Sequence, residues 1–341
     1  MTVTRVPWQA QLGVVQTTVG IANQPSFELG SGLIGLNVNT YGLSVFDVPD
    51  ILEYPGIRAS DLATNRPDMS ISTTLTGEYP STVRNFNVTM ECTPSALALF
   101  GWLLFQNGAT QFTSGGLFRQ LFSRYTSSDC EVWAAFVRVN TKTQGVAENH
   151  VALGCVCRTL RLIGSEGGVW VLSADMLAAD VVDDMAWSFS PNNALGYMDD
   201  PTMPFSDSSF LVGSNGIPML AAEIVFTNSA FPQFWQSPNP YRWQLGQLRG
   251  ELRVRIPWDG GGSFGVPYWK NVWDQQSFAV ESGPPIFNIK SGAVLGSGAL
   301  FGGSKLLRVG IAEEQEEVGD IDFALTGPSF DVYETTNRGI P

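Results

Sequence analysis

The sequence of 341 residues is poor in the groups that most chemistry needs. It holds one histidine, His150, and four cysteines, Cys92, Cys130, Cys155 and Cys157. Without a second histidine or a cysteine at ligand spacing, His150 cannot anchor a zinc site of the usual kinds. Four cysteines are too few for a disulfide framework and fit a reducing compartment. Basic residues are scarce too: 19 Lys and Arg stand against 32 Asp and Glu, a formal charge of −13. No run of cations is present, so stable binding of DNA or RNA through phosphates is disfavoured. Charged residues make up only 15% of the chain, against roughly 25% in ordinary soluble domains. Such a surface is expected to be covered by assembly. No stretch reaches the ~18–20 apolar residues of a membrane helix. The opening MTVTRVPWQAQLG lacks the plan of a signal peptide, so a soluble protein used without export is expected.

Catalytic and cofactor motifs are equally thin. His150 lies in a polar stretch, AENHVALG, that reads as a loop, and no nucleophile elbow accompanies it. Cys155-Val-Cys157 is a C-x-C whose thiols share one face of a strand, which suits two small core fillers. Gly30 to Gly35 matches G-x-G-x-x-G by letter, but the residues after it alternate like strand or loop. Asp259-Gly-Gly-Gly-Ser has no Gly-Lys-Ser/Thr behind it and reads as a flexible loop. Asp183-Asp184 and Asp199-Asp200 do not follow a calcium-loop pattern, and the acidic residues within 313–317 read as a solvated turn. No catalytic, cofactor-binding or metal-binding residue is therefore assigned, no cofactor is expected, and the chain is expected not to be an enzyme.

What the sequence has is β-strand pattern. Phe86, Val88, Met90 and Cys92 alternate with Asn85, Asn87, Thr89 and Glu91, the period of a half-buried strand. The same alternation returns at Leu252, Val254, Ile256 and at Ile321, Phe323, Leu325. Segments 131–139 and 223–227 read as further strands. One helix is predicted over about 95–105, capped by Thr93 or Ser95, with Pro94 in its first turn and Asn107-Gly108 to end it. ALALFGWLLF is apolar nearly all round, so this helix should be buried on both sides.

An internal echo suggests a duplication. Residues 158–176 align without gaps on 305–323 at a constant offset of 147, matching Arg161 with Arg308 and Asp175 with Asp322. Each segment reads as strand, turn, strand, preceded by a comparable strand at 84–92 and at 249–256. The expected organisation is a first domain over 1–189, a polar, Pro-rich loop or linker over 190–217, and a second domain over 218–341.

Three stretches resemble the tail tube proteins (major tail proteins) of long-tailed bacteriophages. They are ISTTLTGEYPSTVRNFNVTMECTPSALALFGWLLFQNGA, then the segment from WAAFVRVN through GCVCRTLRLIGSEGGVWVLSADMLAADVV, then GQLRGELRVRIPW after Phe226-Thr227-Asn228. The resemblance covers roughly residues 70–260 and rests on layout. It implies a mostly-β, β-sandwich or half-barrel tail-tube fold with one packed α-helix, here as two tandem tube-like subdomains. It also implies a structural virion protein that self-assembles into stacked rings of three or six subunits, a conduit for DNA ejection. The implied partners are further copies of the chain and the neighbouring terminator, tape measure and distal tail proteins. DNA would pass without stable binding, no membrane would be involved, and assembly would occur in the host cytoplasm. The inserts 190–217 and 259–285 depart from a minimal tube domain and leave open another tail ring protein, terminator or distal tail. Ten tryptophans keep a carbohydrate-binding β-sandwich in view as a further alternative.

Overall fold

Alternation of apolar and polar residues dominates the chain, and strands dominate the computed structural model. It describes residues 10–18, 40–49, 51, 83–112, 118–123, 125, 130, 132–141, 147–183, 196–197, 201–212, 215–234, 240–257, 286–291, 295–301, 304–311, 318–325 and 328–334. The first half carries β1 (Ala10–Thr18), β2 (Thr40–Leu43), β3 (Arg84–Glu91), the helix α1 (Pro94–Phe105), β4 (Gly108–Phe112) and β5 (Phe118–Phe122). It continues with β6 (Val132–Thr141), β7 (Ala147–Ser165), β8 (Val171–Ala178), β9 (Asp180–Asp183) and β10 (Gly196–Tyr197). After a 3-10 turn at Phe205–Asp207 come β11 (Ser209–Val212), β12 (Asn215–Ile217), β13 (Ala221–Thr227), β14 (Phe231–Phe234), β15 (Pro240–Gln244) and β16 (Arg249–Pro257). The chain closes with β17 (Ile286–Ser291), β18 (Leu295–Phe301), β19 (Ser304–Ile311), β20 (Val318–Leu325) and β21 (Pro328–Glu334).

The predicted strands around 84–92, 131–139, 223–227, 249–256 and 321–325 are present as β3, β6, β13, β16 and β20. The helix is also where the sequence puts it. Thr93 Oγ1 accepts from the Ala96 N–H at 3.2 Å, and Pro94 occupies the first turn, where a missing N–H costs nothing. All twelve helix residues are buried. The end differs from expectation: the left-handed cap is Gln106, at φ 58°, rather than Asn107-Gly108. The Gln106 side chain holds that cap by donating to the Leu103 and Val132 carbonyls and accepting from the Val132 N–H.

Helix α1 packs against β6 and β7 on one side and β5, β18 and β21 on the other, so it lies between two sheets. Phe105 meets Phe122, Phe226 and Phe330 at ring-centroid distances of 5.0–6.0 Å. Gly101 is needed at the closest approach, because a β-carbon there would sit 3.0 Å from the rings of Phe122 and Phe330. A second apolar cluster, with Trp133, Leu153 and Trp243, forms around β6 and β7 beside the β14–β15 hairpin.

Among the described residues there are three sheets, of twelve, seven and two strands. The largest runs β10-β2-β1-β6-β7-β13-β16-β20-β19, with β8 and β9 also on β7 and β3 beyond β8. The long strand β7 belongs to two sets of pairings. Its first half bonds to β6 and β9, and its second half to β8 and β13. The seven-stranded sheet runs β12-β11-β17-β18-β21-β5-β4. Strands from 1–189 and from 218–341 thus share one sheet where β7 meets β13, and β10, β11 and β12 lie within 190–217.

These pairings correct the expected tail-tube fold. The mostly-β content and the packed helix hold, but among the described residues no sheet closes into a barrel or tube. The larger sheet ends at β10 and β19 and the smaller at β12 and β4, and no described strand joins end to end. Closure requires the terminal strands to meet at a consistent stagger and tilt. Period-2 patterning reports which face of a strand is buried, but it carries no information on that stagger.

Candidate functional site

Seven strands, β3-β8-β7-β13-β16-β20-β19, form one antiparallel run, and on β3 and β16 the buried residues alternate with outward, mostly polar ones, while Ile163 and Val225 add apolar side chains to the same face. The outward side chains form ion pairs across the strands. Glu223, Arg253 and Asp322 stand directly opposite one another on β13, β16 and β20. Arg253 Nε donates to Asp322 Oδ1 at 2.8 Å, and its Nη1 lies 3.8 Å from Glu223 Oε2. Arg161 donates diagonally to Glu223 at 2.5 Å, and Arg255 makes a two-pronged contact with Asp320 at 2.9 and 3.3 Å. Arg158 reaches from β7 to β8 and donates through both Nε and Nη2 to the single oxygen Oδ2 of Asp175. The hydrogen bond to Asp322 pushes the Arg253 guanidinium above its ordinary value, so it is cationic at every accessible pH.

Toward β3 the outward side chains are mostly uncharged, with Glu91 exposed at the end of the strand. Thr89 Oγ1 donates to Asn87 Oδ1 at 2.7 Å, and Asn87 Nδ2 donates to Ser173 Oγ at 3.2 Å. The carboxylates of Asp175, Glu223, Asp320 and Asp322 each accept from an arginine. This face is built for a polar environment or a polar partner.

The predicted echo is present as topology. The hairpin β7–β8 carries β3 on its second strand, and the hairpin β19–β20 carries β16 on its second strand. Asn87 faces Asp175 as Arg253 faces Asp322. Each hairpin also has a bulge in its first strand, between Cys157 and Thr159 and between Leu306 and Arg308. The residue-for-residue match fails. Asp175 lies opposite Thr159, whereas Asp322 lies opposite Arg308, a slide of two positions relative to the sequence alignment. A two-residue slide keeps every side chain on its own face, so burial patterning tolerates it.

The edges of the two units differ. Strand β13 bonds to the free side of β7 and, on its other side, to β16. Strand β19, which holds the place of β7 in the second unit, bonds only to β20 among the described residues. A matching difference lies at β3. The Leu220 N–H donates to the Arg255 carbonyl at 2.8 Å and leads into β13 along β16. The Phe46 N–H donates to the Thr89 carbonyl at 2.9 Å in the same relation to β3. There Pro49 follows, which has no N–H to continue a ladder. Among the described residues the β3 edge is therefore paired only near its end, by Val45 and Phe46 against Met90 and Thr89, and β19 has no partner beyond β20, whereas their counterparts are joined through β13 inside the chain.

The remaining sequence candidates fall into place around this face. His150 is not in a loop but on β7, half-buried, opposite Arg138 and Asp183 in register. Cys155 and Cys157 are fully buried in the core, donating to the Ala152 and Thr159 carbonyls at 3.3 Å. Burial pushes the thiols of Cys92, Cys155 and Cys157 up, and for Cys157 the charge of Asp175 adds to it. Trp102, Trp133, Trp170 and Trp243 are all buried. Asp184, Asp199, Asp200, the stretch 313–317, Gly30 to Gly35 and 259–285 lie outside the described residues. Among the described residues, no group of three or more His, Cys, Asp or Glu is placed to hold a metal ion.

Sequence reasoning missed the ion-pair row. The signal for the row was in the sequence, as charges at the outward positions of alternating strands, but register alone brings them together. No protein-family model matches the chain, and no curated protein matches it.

Proposed function

We propose that the chain is a structural, non-enzymatic component of a phage tail, a ring protein of the terminator or distal-tail kind. The tail-tube conduit is set aside because the sheets are open among the described residues. The observation that carries the proposal is the inequivalence of two like edges: β7 is completed by β13, while β19 presents the same edge with no described strand on it. An edge of eight residues with no described partner is a template for pairing with another chain. The low charge content fits a surface covered by neighbours. Copies then meet head to tail in a discrete ring, with terminator, tape measure or distal tail proteins as further neighbours in the virion. The carbohydrate-binding alternative draws no support from the four described tryptophans, since each is buried and none forms a platform.

Negative-stain microscopy with mass photometry of the purified protein tests this. Discrete rings of one fixed copy number are expected. A monomer at all working concentrations, long hollow tubes, or glycan-array binding by a monomer would each overturn the proposal. Neighbouring residues of a strand point their N–H groups to opposite sides. Of Val309→Pro and Gly310→Pro, the one whose N–H faces outward should therefore abolish the ring and keep the monomer's circular dichroism.

A further inference from the structure

No further inference is drawn: the strongest candidate, the shallow depression of about 150 Å³ on the outward sheet face between Glu223, Glu251 and Asp322, is a cluster of acidic side chains of which Glu223 and Asp322 are already engaged with Arg161 and Arg253, and nothing in the structure points to a ligand there.

Discussion

The side chain of Asn228 donates at 2.8 Å to the Cys157 carbonyl, tying the end of β13 to the bulge of β7. The same amide donates to the Leu104 carbonyl in the last turn of α1 at 3.0 Å, and its oxygen accepts from the Ala230 N–H. Asn228 is fully buried, so these groups have no water to turn to. Asn228→Ala leaves two carbonyls and one N–H without their partner. At about 1–3 kcal/mol for each buried group left unsatisfied, relaxation included, a total loss of about 2–4 kcal/mol is expected. Urea unfolding of the variant checks it, and a loss under about 1 kcal/mol would show that the corner is held by packing alone.

Helix α1 and the ion-pair row should respond to truncation very differently. Leu103 is fully buried between the sheets, and Leu103→Ala should cost about 2–5 kcal/mol through lost burial and the cavity left behind. Arg253 is 59% exposed at its side chain. Exposed pairs contribute about 0–1 kcal/mol each, so Arg253→Ala should change stability by less than about 1 kcal/mol and lose that effect in high salt. Equal costs for the two variants, read from denaturant midpoints, would contradict the division between core and face drawn above.

The buried thiols make stability depend on alkaline pH. Cys92, Cys155 and Cys157 have folded values raised above their unfolded ones. Above the ordinary thiol value of about 8.5, the unfolded chain binds fewer protons than the folded one, so stability falls as pH rises. The contribution is fully present below that value. A denaturant midpoint that drops between pH 8 and 10 is expected, and a triple Cys→Ser or Cys→Ala background should flatten it. Native labelling with a maleimide at pH 7 should spare these three thiols and modify all four cysteines only after unfolding.

DNA should not be retained. The net charge is −13, and Arg158, Arg161, Arg253 and Arg255 on the outward face are each paired with a carboxylate. Phosphates would have to displace those partners, so no shift of duplex DNA is expected in a mobility assay at 100 mM salt. A complex that tightens steeply as salt falls would count against this account of the face.

The sequence by itself determined that segments such as 84–92, 249–256 and 321–325 are strands, which face of these is buried, and where the helix lies. Phe86, Leu252 and Phe323 point inward because apolar residues two apart on a strand share a face, and local spacing carries that information. Thr93 and Pro94 likewise announce the start of α1, since capping is settled within four residues. Only the tertiary structure decided which strands pair and at what register. The echo of 158–176 in 305–323 was legible, yet its residues do not share rungs, because a slide of two preserves every buried position. His150 reads as loop from its polar neighbours but lies on β7, where pairing with β6 and β9 overrides local preference. Whether a sheet closes is the least local property of all. It depends on stagger and tilt summed over many strands, and here those leave β19 as an edge among the described residues.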